Sequence, residues 1–214
     1  MKRSSRLPIA SDGVIFIIAT AAVTLLAVLL GWERVAALCF LLTVFVVAFF
    51  RDPERRIQAG AGEVLSPADG RVLVVESVTN PAPLKGSWQK ISIFMSVFNA
   101  HINRIPLSGM VSAIRYRPGR FLMGFSEKAS IENEQNAIVI SQAGKAKLML
   151  VQIAGLIARR IVCHLEEGQE VQIGDRFGLI RFGSRTDVYV PEDAEVLVVK
   201  GDRVKAGLDA LARI

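Results

Sequence analysis

The sequence predicts a mainly β domain, antiparallel and barrel- or sandwich-like within an α+β frame, preceded by an N-terminal apolar helical hairpin over residues 1–50. Three observations carry that expectation. Residues 14–30 and 35–50 form two apolar runs separated only by Gly31-Trp32-Glu33-Arg34. Beyond Arg51 the segments become short and rich in β-branched residues, bounded by Gly, Pro, Asn and Asp, which is how strands read. The chain has 214 residues, enough for one domain with a real core and too few for two large ones.

Each apolar run is slightly short of the ~20 residues that a spanning helix needs. Lys2, Arg3 and Arg6 precede the pair and Arg51, Arg55 and Arg56 follow it. Basic flanks on both sides predict both ends in the cytoplasm and Trp32 near the far interface. A cleaved signal peptide is disfavoured, because no small-residue cleavage site separates the first run from the second. The hairpin either spans the bilayer or dips into it, and the same pattern also fits a buried helical hairpin of a soluble core. Arg51-Asp52-Pro53-Glu54-Arg55-Arg56 marks the boundary, since Pro53 disfavours helix in the residue before it. A globular domain over 51–214 follows.

Strands are expected at 71–78, 90–97, 110–116, 137–141 and 147–153, then at 176–182, 186–190 and 195–200. Residues 153–165 are ambiguous, their apolar spacing also fitting a helix. Glu132 to Asn136 reads as a polar turn. Gly168-Gln169-Glu170-Val171-Gln172-Ile173-Gly174-Asp175 is echoed by Lys200-Gly201-Asp202-Arg203-Val204-Lys205-Ala206-Gly207. Such Gly-Asp turns suit a small antiparallel barrel of the biotinyl or lipoyl kind and carry no chemistry of their own.

Net charge is +6, but the basic residues are scattered through strand-like segments, and eleven Phe, two Trp and two Tyr offer little for base stacking. Nucleic acid is not an expected partner. Cys39 and Cys163 have neither metal-ligand spacing nor the numbers of a disulfide framework, which points to a reducing, cytoplasmic face and no metal.

Chemistry enters at Arg181-Phe182-Gly183-Ser184-Arg185-Thr186-Asp187, between two apolar segments. A Gly-Ser pair there fits a turn or bulge. That is the usual reading of such a pair; the functional one is a self-cleavage site in which Ser184 Oγ attacks the carbonyl of Gly183, where the missing Cβ permits close approach. Elimination from the resulting ester frees residues 1–183 and leaves dehydroalanine at 184, which hydrolyses to a pyruvoyl group and ammonia.

Four segments, taken in order, resemble a known family: Phe49-Phe50-Arg51-Asp52-Pro53-Glu54-Arg55, Ser66-Pro67-Ala68-Asp69-Gly70, Asn99-Ala100-His101-Ile102-Asn103-Arg104-Ile105-Pro106 and Phe182-Gly183-Ser184-Arg185. With the apolar hairpin before them, they resemble the short, membrane-associated type of phosphatidylserine decarboxylase over nearly the whole chain. The resemblance implies decarboxylation of phosphatidylserine to phosphatidylethanolamine through a Schiff base with a pyruvoyl cofactor made from Ser184. It also implies two self-cleavage fragments that stay associated at the cell membrane, with the catalytic domain on the cytoplasmic side. Phosphatidylserine and membrane lipid are the expected partners, and a homo-oligomer is an open alternative.

His101, one of two histidines, falls where the resemblance places catalytic histidines. Longer members have a pair there, whereas here His101 is followed by Asn103 and Arg104, so its share in self-cleavage and in decarboxylation stays open. A satisfied core or surface histidine is the plain alternative; His164 matches no motif. Asp69 reads as a turn aspartate, and the resemblance implies a carboxylate that orients the histidine activating Ser184. Arg104, Arg185 and Lys128 are candidates for gripping the lipid's phosphate or carboxylate. Residues 121–125 fit a membrane-facing lip or an apolar core segment. Two other functions compete. One is a non-catalytic, membrane-anchored lipoyl-like carrier or transport adaptor, with Glu127-Lys128-Ala129 as attachment tripeptide; the other is a pyruvoyl decarboxylase of a soluble amino acid, which would not need the hairpin.

Overall fold

The computed structural model describes residues 8–120, 132–155, 160–180 and 184–214. Two compact units divide the chain, Met1–Glu54 and Arg55–Ile214.

In the first unit, α1 (Val14–Leu29) and α2 (Glu33–Phe49) form the expected hairpin. Leu30 N donates to Leu26 O and Trp32 N to Ala27 O, which closes α1 and turns the chain. The hydroxyls inside this apolar pair are all satisfied: Thr20 and Thr24 donate back to Phe16 O and Thr20 O, and Thr24 and Thr43 meet between the helices at 3.1 Å. At the open end Phe16 stacks on Phe50, with ring centroids 5.6 Å apart. Ile15, Leu25, Leu29, Leu38 and Leu41 point outward, and only 11% of the most apolar window of the first helix is buried. A core hairpin would bury these side chains, whereas lipid accommodates them where they are. Among the described residues one helix, Ser11–Leu29, is long and apolar enough to cross a membrane.

The second unit is antiparallel β throughout its named strands. They are β1 (Glu63–Leu65), β2 (Gly70–Thr79), β3 (Ser87–Met95), β4 (Ile102–Arg104), β5 (Gly109–Arg117), β6 (Gln135–Gln142), β7 (Lys145–Ile153) and β8 (Ile161–Cys163). There follow β9 (Glu170–Val171), β10 (Arg176–Ile180), β11 (Ser184–Pro191), β12 (Glu195–Val196), β13 (Arg203–Val204) and β14 (Ala210–Arg213). Eight of them make one sheet in the order β13-β2-β3-β11-β7-β6-β5-β9. Val204, Val72, Ile91, Val188, Leu150, Ile138, Val111 and Val171 come one from each strand in that order, and all enter a single apolar cluster. A sheet whose whole width feeds one cluster must curl around it, so this is a half-barrel. Each such side chain stabilises the fold by roughly 1.5–3 kcal/mol relative to exposure. Two three-stranded sheets, β1-β14-β12 and β4-β10-β8, complete the unit.

The strands follow the alternation in the sequence, with ends shifted by one to three residues in most cases. Three expectations change. The strand at 195–200 stops at Val196, because Val199 N is taken by the Asp202 carboxylate in a turn. The supposed polar turn at 132–136 holds buried Asn133 and Glu134 and already enters β6 at Gln135. Residues 161–163 are strand rather than helix, paired with β10. The two echoing Gly-Asp segments do form turns, and they converge: Gly174 and Gly207 both have positive φ (83° and 71°), and a Cβ on either would strike the side chain of Ile57.

Candidate active site

Strand β11 lies between β3 and β7, and its residues alternate between the two faces of the sheet. Val188, Thr186 and Ser184 face the curled core. Arg185, Asp187 and Tyr189 face the other way.

Moving along the concave face toward Ser184, the character of the core changes row by row. Ile91, Val188, Leu150 and Ile138 form an apolar row across β3, β11, β7 and β6. The next row reads Ile93, Thr186, Gln152 and Asn136. The row after it starts at Ser184, which pairs with Met95. Ser184, Thr186 and Gln152 are each 0% exposed, so their polar atoms need protein partners.

Those partners form one connected set. Ser184 Oγ donates to Met95 Sδ at 3.4 Å, and Thr186 Oγ1 and Asn103 Nδ2 reach the same sulfur at 3.6 and 3.8 Å. Asn103 Oδ1 accepts from Gln152 Nε2 at 2.9 Å, and Gln152 Oε1 accepts from Asn136 Nδ2 at 3.2 Å. Asn136 also contacts Cys163, whose thiol burial pushes above its ordinary range while that hydrogen bond pulls the other way. A thioether is a weak acceptor, so the Ser184 hydroxyl is held loosely among neutral donors.

His101 stands two residues before Asn103 and is 2% exposed. Its Nδ1 lies 2.9 Å from Asn99 O. A carbonyl can only accept, so Nδ1 carries a hydrogen, and in the neutral ring the lone pair is then on Nε2, the tautomer that a base acting through Nε2 requires. The backbone carbonyl thus stands at the ring position where a triad would have a carboxylate.

Asp69 is committed to Arg55, with both oxygens gripped at 2.6 and 2.7 Å, and its Oδ1 also accepts from Ala206 N at 2.8 Å. Arg55, which counts in the sequence as a basic flank of the hairpin, is therefore a partner of the β1–β2 turn. That turn reaches β4 through Arg104 N, which donates to Pro67 O at 2.9 Å. Asp69 and the His101 segment are linked through the backbone of this turn.

The remaining candidates separate. Arg185 lies on the far face from Ser184, its guanidinium bound to Asp187 at 2.6 Å and to Ser92 Oγ at 2.6 Å. Arg104 is buried and donates to Gly174 O at 3.0 Å. Gly183 and Lys128, the Glu127-Lys128-Ala129 tripeptide and residues 121–125 lie outside the described residues. Strand β10 ends at Ile180 in one sheet and β11 begins at Ser184 in another, so the chain changes sheets between them. Among the described residues no three His, Cys, Asp or Glu side chains group to hold a metal.

Sequence reasoning missed Met95, Asn136, Gln152, Thr186 and Arg55, and saw Asn103 only as a neighbour of His101. A signal existed for two of them: Gln152 and Asn136 occupy inward positions of strands whose other inward residues are Leu or Ile. A polar residue at such a position breaks the local rule where function often lies.

Residues 42–212 match the family model described as Phosphatidylserine decarboxylase. A phosphatidylserine decarboxylase proenzyme of Geotalea uraniireducens (strain Rf4) is 47% identical over 205 residues, covering 96% of each chain. One from Syntrophus aciditrophicus (strain SB) is 48% identical over 200 residues, 93% of this chain and 94% of its own. Another, from Desulfotalea psychrophila (strain LSv54 / DSM 12343), is 44% identical over 209 residues and covers 98% of both. With a family match across 42–212 and relatives aligned from end to end, the chain belongs to the phosphatidylserine decarboxylase family of carboxy-lyases, which convert phosphatidylserine to phosphatidylethanolamine.

Proposed function

We propose that decarboxylation of phosphatidylserine by this chain depends on a pyruvoyl group made from its own Ser184 by cutting the bond after Gly183. The observation that carries this reading is the placement of Ser184: first residue of β11, fully buried, its hydroxyl donating to a thioether sulfur. In the cut, Oγ attacks the Gly183 carbonyl carbon as a base takes the hydroxyl proton, and the C–N bond breaks as the nitrogen is protonated. His101 Nε2 suits that base. Loss of the Cα proton of residue 184 and of the Gly183 carboxylate gives dehydroalanine, whose tautomer takes up water and releases ammonia.

The surroundings fit an uncharged carbonyl group at residue 184, because Met95, Thr186 and Asn103, which meet around the Ser184 hydroxyl, are all neutral and two of them are hydrogen-bond donors. When present, the group supplies the electron sink that decarboxylation needs and that no ordinary side chain offers. The fragments 1–183 and 184–214 stay together, since β11 is hydrogen-bonded to β3 on one side and β7 on the other, while β14 pairs with β1. Asp69 supports maturation by holding Arg55 and the turn that meets β4. The hairpin keeps the domain at the membrane, on the cytoplasmic side by the basic flanks at both ends. With Arg104 and Arg185 engaged elsewhere, Lys128 is the remaining candidate of the three for the lipid headgroup.

Time courses on Ser184→Ala and His101→Ala test the reading, by gel for the cut and by carbon dioxide release for turnover. Ser184→Ala is expected to stay one chain and release nothing. His101→Ala is expected to cut slowly if His101 is the base. A cut, active Ser184→Ala protein would remove Ser184 from the mechanism.

A further inference from the structure

We infer that Gln152 is a positioning residue that locks the Asn103 carboxamide with its N–H side toward the Met95 sulfur that holds Ser184, making Asn103 a hydrogen-bond donor to the Ser184 hydroxyl oxygen during the cut. The inference rests on the reading of Ser184 as the processed residue and concerns how its surroundings are set.

The orientation of each amide can be worked out from one fixed point. Gln152 Nε2 lies 3.4 Å from the backbone carbonyl of Val162 and 2.9 Å from the Asn103 side chain. A backbone carbonyl only accepts, so the end of Gln152 facing Val162 must be the NH2 group. That NH2 needs an acceptor on Asn103, which must turn its Oδ1 to Gln152 and its own NH2 to the Met95 sulfur that Ser184 Oγ also reaches. The other end of Gln152 is then the carbonyl, and Asn136 meets it with a donor at 3.2 Å. Asn136, Gln152 and Asn103 form a relay with one direction, ending in an N–H at the sulfur that holds the Ser184 hydroxyl.

Direction matters because Met95 can accept but not donate. Once Ser184 Oγ loses its proton, the sulfur has nothing to offer that oxygen, while Asn103 Nδ2 does. The relay also joins the two sheets that the chain connects between residues 180 and 184. Asn103 lies on β4 of the small sheet, and Gln152 and Asn136 lie on β7 and β6 of the half-barrel. A buried amide row could instead serve only to fix strand partners, and that role predicts a loss of stability without a specific effect on the cut.

Gln152→Glu separates the two. The shape is kept, but a carboxylate has no hydrogen to give, so above the pH at which residue 152 ionises it draws the Asn103 NH2 toward itself and turns Oδ1 to the Ser184 side. Self-cleavage of newly synthesised chain in a cell-free system with phospholipid vesicles is expected to slow about 10- to 100-fold, less than the ~10²–10³ lost with an oxyanion donor itself. Gln152→Met, which avoids burying a charge, should slow it by a smaller factor. In an Asn103→Leu background, Gln152→Glu should add nothing further, because the group it orients is gone. Unfolding midpoints, measured for each variant on uncut Ser184→Ala chain, show how much each change costs the fold. The inference is overturned if Gln152→Glu and Gln152→Met are cut at the wild-type rate, or if Gln152→Glu slows the cut equally with and without Asn103. A wild-type chain that is never cut would instead overturn the reading of Ser184.

Discussion

The ion pair on the far face of β11 gives a test with a magnitude attached. Arg185 and Asp187 are buried side by side at 2.6 Å, with side chains 4% and 0% exposed, and Ser92 Oγ is their hydrogen-bonded neighbour. Asp187→Leu leaves the guanidinium buried and uncompensated, which costs about 3–5 kcal/mol. For a chain of this size that lowers the melting temperature by roughly 10 °C. Arg185→Met combined with Asp187→Leu removes both charges, so most of the loss returns. What remains is mainly the Ser92 hydroxyl left without its partner, on the order of 1 kcal/mol. Urea unfolding of Ser184→Ala chain in detergent measures both variants on an uncut polypeptide. The same double substitution on a chain with Ser184 intact should leave KM for phosphatidylserine unchanged, since Arg185 faces away from Ser184. A single variant losing under ~1 kcal/mol, or a double variant no better than the single, would refute the assignment of this pair as a buried structural unit. A KM that rises several-fold in the double variant would return Arg185 to the role of headgroup ligand.

Asp69→Asn should slow cleavage and lower stability by about 3 kcal/mol, because the buried Arg55 loses its charge partner; if the role is positional, Asp69→Leu with Arg55→Leu restores cleavage in part, as followed by gel. Deleting residues 1–50 should release the domain from membranes and spare the cut, whereas a deletion that also removes Arg55 should impair it; sedimentation with vesicles and a gel separate the two. Burial, and then the charge of Asp187, raise the ionisation of Tyr189 above its ordinary value. The folded chain therefore favours the neutral phenol: its stability is full below about pH 10 and declines above it, as the unfolded chain ionises first. Tyr189→Phe should flatten that decline in urea midpoints compared between pH 9 and pH 11; an unchanged slope would exclude Tyr189 as its source.

Much of this was legible in the sequence because the signals are local. Period-two alternation located most of the long strands. Four ordered motifs carried the family and brought Ser184 forward as its candidate residue. What could not be read depends on pairing between distant strands. Nothing near Asp69 in sequence says that Arg55 will take both its oxygens, and nothing near Arg185 says which face it will occupy until Ser184 is known to point inward. Met95 looks like core filling until β3 is set beside β11, when its sulfur becomes the acceptor for Ser184. Gln152 is an exception within its expected strand, whereas Asn136 fell in the expected turn at 132–136; the direction of both came only from the Val162 carbonyl on β8, a strand whose sequence also fitted a helix.

Intact mass on the purified, denatured wild-type protein reads the cut after Gly183 itself. Two chains are expected, residues 1–183 ending in a free carboxylate and residues 184–214, the smaller lighter by one ammonia than a peptide beginning with serine and blocked at its N-terminus. A single full-length chain of 214 residues that releases carbon dioxide from phosphatidylserine would contradict it.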